Sequence, residues 1–193
     1  AAAAAVWGLA SCGGGSNPLD NPDTLQNPTL TGNQRLAFAY FQRCVFPVFL
    51  KQLPITLANG TTAINTCAAS GCHDNTNGTG GAFRVIGNAQ TIDLTNPANT
   101  ADIIRASDMY KNFYSAQGEV VFGSTTLSRI LAKPMVNGVL HGGGLVFANA
   151  QDANARLIQY WINNPSSSGD EFNSATFVMF TPADPNTGAC NTQ

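Results

Sequence analysis

The sequence predicts a mainly α-helical domain with a long irregular linker before it and an irregular tail after it. Three observations predict this. Four stretches carry apolar residues at three- and four-residue spacing, the repeat of one helix face. Those stretches are bounded by capping residues or by prolines that stop a helix. Only one short segment, Ala175 to Thr181, has the apolar, β-branched character of a strand. At 193 residues the chain is long enough for one domain with a sizeable core, and no internal repeat is visible.

In chain order, residues 1–12 read as the apolar end of a secretory signal, and Leu9-Ala10-Ser11-Cys12 has the form of a lipobox ending in a cysteine to be acylated. Residues 13–32 are rich in Asn, Pro, Gly and Thr and read as an extended linker. The domain is expected over 33–165. Asn33 is placed as the cap of a first helix whose wide apolar face holds Leu36, Phe38, Tyr40, Phe41, Val45 and Phe49, with Pro47 expected to kink it. Residues 52–66 read as a mixed loop. A second helix is expected from Thr100 to Ala116, with Ile103, Ile104, Met109, Tyr110 and Phe113 on its inner side. A third runs from Ser124 to Lys133 and stops at Pro134; a fourth runs from Asp152 to Asn163 and stops at Pro165. Tyr160 and Trp161 on the fourth are expected in the core. The tail, 166–193, is rich in Ser and Asn.

Chemistry concentrates at Cys67-Ala-Ala-Ser-Gly-Cys72-His73. Two thiols closed by a histidine are what covalent haem c attachment requires: each sulfur adds to one vinyl group and the adjacent imidazole reaches the iron. The spacing is wider than the usual two residues between the cysteines, so the extra residues must bulge, and Gly71 is the residue whose backbone freedom allows that. Asp74 to Gly81 is turn chemistry, so any helix carrying the motif is short.

The order of aromatic first helix, haem motif, central helices, ligand loop and closing Leu/Tyr/Trp helix resembles the class I cytochrome c plan. The wider set, Cys67 to His73, Ser128-Arg-Ile-Leu-Ala-Lys-Pro134, His141-Gly-Gly-Gly144, Phe147 and Leu157 to Trp161, is similar to planctomycete-type cytochrome c domains. The resemblance covers residues 33–165 and departs from the pattern in the cysteine spacing and in the long segment before Cys67. It implies one covalent haem c, with Cys67 and Cys72 as attachment points and His73 as the proximal iron ligand.

For the distal ligand the chain offers one other histidine, His141, and three methionines, Met109, Met135 and Met179. His141 is favoured, because the His-Gly-Gly-Gly element is what persists in the resembling domains and because Gly142 to Gly144 let backbone approach a flat macrocycle. Met135, just after Pro134, is the alternative. A disulfide between Cys67 and Cys72, or a zinc site formed by both with His73 and His141, is the competing reading. His141-Gly-Gly-Gly144 also matches an oxyanion-hole segment, but no Gly-x-Ser-x-Gly accompanies it and no spare histidine is left for a triad. Asp74, Asp102, Asp108 and Glu119 read as caps and solvated positions.

The expected function is that of an exported monohaem electron carrier and not an enzyme: either a lipid-tethered relay to other cytochromes or a membrane redox complex, or a subunit of a larger assembly. A haem-based gas sensor and a non-haem exported structural domain are the alternatives. Charged residues are only 10% of the chain, against about 25% in ordinary domains. With net charge -2 and no basic run, nucleic acid is not an expected partner. Location in the periplasm, the outer membrane or at the bacterial cell surface follows from haem c maturation and from the remaining cysteines. If Cys12 is acylated, Cys44 and Cys190 are left to pair and to pin the tail onto the first helix.

Overall fold

A computed structural model describes residues 35–166 and 169–193. The lipobox and linker expectations, and the Asn33 cap, lie outside the described residues. Among the described residues no helix is long and apolar enough to cross a membrane.

The mainly α expectation is corrected: the fold mixes helix and strand, about 32% to 12%, with six short α-helices and two small antiparallel sheets among the described residues. Each departure has a local cause. The first helix passes through three consecutive segments, α1 (Phe38–Tyr40), a π-helical turn (Phe41–Val45) and α2 (Phe46–Leu50). Pro47 has no N–H to close on the preceding turn, and the ladder widens just before it instead of breaking. The expected loop at 52–66 is a β-hairpin, β1 (Leu53–Thr56) against β2 (Thr62–Asn65), in the register Leu53 to Asn65 and Thr56 to Thr62. Pro54 and the short apolar alternation hide this strand from a helix-minded reading.

The expected second helix is two, α3 (Ala101–Ala106) and α4 (Asp108–Gln117). Ser107 lies between them in an extended conformation, donating its hydroxyl to the Ile104 carbonyl and accepting the Tyr110 N–H. It ends one helix and caps the next. The break leaves Ile103 exposed, while Ile104, Met109 and Phe113 are buried. The third shrinks to α5 (Arg129–Ala132), because the buried Ser128 hydroxyl is taken up by Val121 N–H and the Ser124 carbonyl in a tight turn. The fourth, α6 (Ala153–Asn163), begins as expected: Asp152 accepts the Asn154 and Ala155 N–H groups.

The segment read as strand-like, 175–181, is mostly a 3-10 helix (Ser174–Met179), followed by β3 (Phe180–Thr181) paired with β4 (Ala189–Cys190). A Cys44–Cys190 disulfide joins this piece to the first helix. The residues after 165 therefore belong to the packed body. Phe38 donates its N–H to the Glu171 carbonyl, Phe172 lies 5.4 Å from the Phe38 ring, and Met179 and Phe180 are buried.

The core is aromatic. Phe38, Phe41, Phe113 and Trp161 are fully buried and meet ring to ring at 5.3 to 6.0 Å. The Trp161 indole donates to the Ala37 carbonyl at 3.0 Å, so its one polar atom is satisfied inside. The first helix and α6 thus form a fixed wall. Against it stand the hairpin and two long loops.

Candidate functional site

The first loop begins where β2 ends. Cys67 is anchored by Ala68 N–H donating to the Phe49 carbonyl, at the end of the first helix. The chain then turns tightly: Cys72 N–H bonds the Ala69 carbonyl and His73 N–H returns to the Cys67 carbonyl at 2.9 Å. Gly71 sits in this turn at φ +83°, a left-handed conformation that other residues adopt at a cost of about 1 kcal/mol or more. The five-residue step from Cys67 to Cys72 is thereby folded into a compact loop that the next residue closes.

His73 is held on three sides. Its main chain bridges to Val85, with Val85 N–H on the His73 carbonyl at 2.7 Å. The Phe83 ring lies 4.7 Å from the imidazole centre, and the Phe83 carbonyl accepts from Nδ1 at 3.1 Å. Gly80 presses against the ring edge; a Cβ there would lie 2.5 Å from Nδ1 and Cε1. The intervening turn is stitched by Asp74, whose carboxylate accepts the Thr76 and Asn77 N–H groups. Burial lowers the His73 pKa below its ordinary value, with His141, Arg84 and Lys133 adding to the effect.

The second loop, 134–147, brings His141. Its two ends are closed on each other, since the Pro134 carbonyl accepts from Val146 and Phe147 N–H. It is also zipped to the hairpin, Thr56 and Leu145 exchanging two backbone hydrogen bonds of 2.8 Å. His141 Nδ1 bonds the Gly144 carbonyl at 2.7 Å, and Gly144 N–H bonds the His141 carbonyl at 2.9 Å. The glycines serve the histidine more directly than expected. A Cβ on Gly143 would lie 3.1 Å from the His141 ring, and one on Gly144 would lie 2.3 Å from the Thr56 carbonyl oxygen. Gly142 has open space around it.

The two imidazole centres lie 6.3 Å apart, with ring planes within 10° of parallel. A metal–imidazole bond is about 2 Å long, so an ion held end-on by two rings places their centres roughly 6 Å apart. Each Nδ1 is engaged by a carbonyl, which fixes Nδ1–H as the donor and leaves Nε2 with its lone pair free. Metal-ligating histidines are oriented in this way.

Cys67, Cys72, His73 and His141 all line one cavity of about 500 Å³. Its other walls include Leu53, Ile55, Leu57 and Val146. A smaller pocket continues inward past Cys67, His73 and His141 towards Phe49, Phe147 and Ile158. The four residues singled out in the sequence are thus brought together. Met135 is not: it lines a separate depression with Leu131, Ala132 and Asn137. Met109 and Met179 are buried in the core. The distal alternative Met135 does not reach the cavity that holds His73.

The competing readings fare less well. Cys67 and Cys72 are separate thiols, and burial, then the neighbouring Cys72, pushes Cys67 up to about 11. Among the described residues no three His, Cys, Asp or Glu side chains converge to hold an ion. A zinc cage needs four such ligands, whereas haem iron takes only its axial ligands from the protein. The cavity, the donor set and the ring spacing fit a haem.

Sequence reasoning missed Phe83 and Gly80, which orient His73, and the ladder between Thr56 and Leu145, which fixes His141. The Asp74 to Gly81 turn run signalled that something must close over the motif, but not which residue. Comparison with protein-family models, characterised proteins and solved structures finds no match.

Proposed function

We propose that this chain is an exported monohaem c-type cytochrome that carries single electrons. Cys67 and Cys72 would hold the haem covalently through their sulfurs, and His73 and His141 would be the protein ligands to its iron. The observation that carries this reading is the pair of imidazoles 6.3 Å apart, each with Nδ1 on a backbone carbonyl, in the one cavity that both cysteines line.

The haem, when bound, supplies a one-electron iron couple. The chain's own residues supply the rest. The Phe83 and Gly144 carbonyls hold the ring nitrogens in one tautomer and fix the ring planes. The apolar walls limit water and favour the iron state of lower charge, while two nitrogen ligands set the potential lower than a thioether would. Two imidazoles offered to the iron would leave no position for a substrate, which favours a carrier over a gas sensor.

The test is a pyridine haemochrome on acid-denatured protein produced in a host that matures c-type cytochromes. The expected result is one haem per chain that stays with the polypeptide, and its loss in the Cys67→Ala/Cys72→Ala variant. A colourless native protein, or haem that washes out after denaturation, overturns the proposal.

A further inference from the structure

The chain has three lysines, and two of them are partnered: Lys51 donates to the Asn154 amide oxygen and Lys111 pairs with Asp108. Lys133 is different. It is half-buried, and among the described residues its ammonium makes no hydrogen bond or ion pair. It is the one Lys or Arg in the lining of the main cavity, and it lines the inner pocket as well. With Cys67, His73, Gly80 and His141 it forms the seam between the two spaces. Glu119 and Arg129 line the inner pocket but not the main cavity, and Arg84 is turned to the Phe83 carbonyl.

The root of Lys133 is fixed. Its N–H donates to the Arg129 carbonyl at the end of α5, and the next carbonyl, that of Pro134, is held by Val146 and Phe147. An ammonium that no carboxylate meets can make a charge-assisted hydrogen bond to an anion bound beside it. Only 20 of the 193 residues are charged, so a cation placed at a cavity seam is not part of a general surface pattern.

We infer that Lys133 receives a propionate carboxylate of the haem and thereby fixes which way the macrocycle lies between His73 and His141. This rests on the haem proposal above. Lys133 is a positioning residue: it touches the acidic edge of the cofactor, while the iron is left to the imidazoles. Its charge also bears on the couple, because a cation beside the haem disfavours the additional positive charge of the ferric state and holds a neighbouring carboxyl ionised to lower pH.

The experiment is a potentiometric titration of the intact holoprotein at a series of pH values, on the parent chain, Lys133→Gln and Lys133→Arg. In Lys133→Gln the midpoint potential is expected to fall, and the bend in its pH dependence that reports propionate ionisation to move to higher pH. Lys133→Arg is expected to restore both. Loss of haem from Lys133→Gln with retention in Lys133→Arg supports the assignment as well. An unchanged bend in Lys133→Gln, whatever the potential does, overturns it and leaves Lys133 as a surface charge. Haem in the parent with this result leaves the cytochrome proposal standing, whereas a parent chain without haem removes both.

Discussion

The wall built by the first helix, α4 and α6 and the half built by the hairpin and the two loops are held together by different forces. In the wall, apolar rings are buried completely and touch one another; Phe38, Phe41, Phe113 and Trp161 have no exposed surface to speak of. Burying each such side chain contributes on the order of 2–3 kcal/mol. In the loop half, position is set by backbone hydrogen bonds that close short turns: Cys67 to His73, His73 to Val85, Pro134 to Val146 and Thr56 to Leu145. Individually these contribute about 1 kcal/mol, but they are directional. The wall supplies stability, and the loops supply precision at the two imidazoles.

That contrast can be attacked from the wall first. Trp161→Ala empties the space of the largest fully buried side chain and leaves the Ala37 carbonyl with the Phe41 N–H alone. A loss of about 3–5 kcal/mol is expected, read as a lower denaturant midpoint with little change in slope. A loss under about 1 kcal/mol would mean that the aromatic cluster is not where stability resides.

The loop half is tested by two equal substitutions. Gly80→Ala puts a methyl 2.5 Å from the His73 ring and 2.8 Å from the Cys72 carbonyl, whereas Gly87→Ala, away from the cavity, meets nothing nearer than 3.8 Å. Gly80→Ala should cost about 1–3 kcal/mol and reduce haem occupancy several-fold. Gly87→Ala should leave both as they are. Equal haem content in the two variants would show that the loop over His73 does not position it.

How much of this was legible in the sequence follows the same division. Periodicity reads burial on a helix face, so the first helix, α6, and the core places of Phe41 and Trp161 were visible. Serines inside polar runs were not: Ser107 and Ser128 divert the backbone through their hydroxyls, and the expected long helices became short ones. The hairpin escaped because its strands have four residues each and one begins with Leu-Pro. At the site, the motif gave Cys67, Cys72 and His73 directly, and scarcity pointed to His141, the only other histidine. Their supports were hidden, because the groups that orient the rings are carbonyls of Phe83 and Gly144, and a carbonyl leaves no mark in the residue type. The Cys44–Cys190 bridge was readable as a remainder, but the packing of residues 169–193 against Phe38 and Tyr40 was not.

The claim at the centre is that His73 and His141 hold one iron between them. Carbon monoxide binding to the reduced holoprotein, compared between the parent chain and His141→Ala, tests it most directly. The account predicts a six-coordinate, low-spin parent whose reduced spectrum does not change under carbon monoxide, and a His141→Ala variant that keeps its covalent haem and binds the gas. A parent that takes up carbon monoxide freely, or a His141→Ala variant with the parent's spectrum, would contradict it.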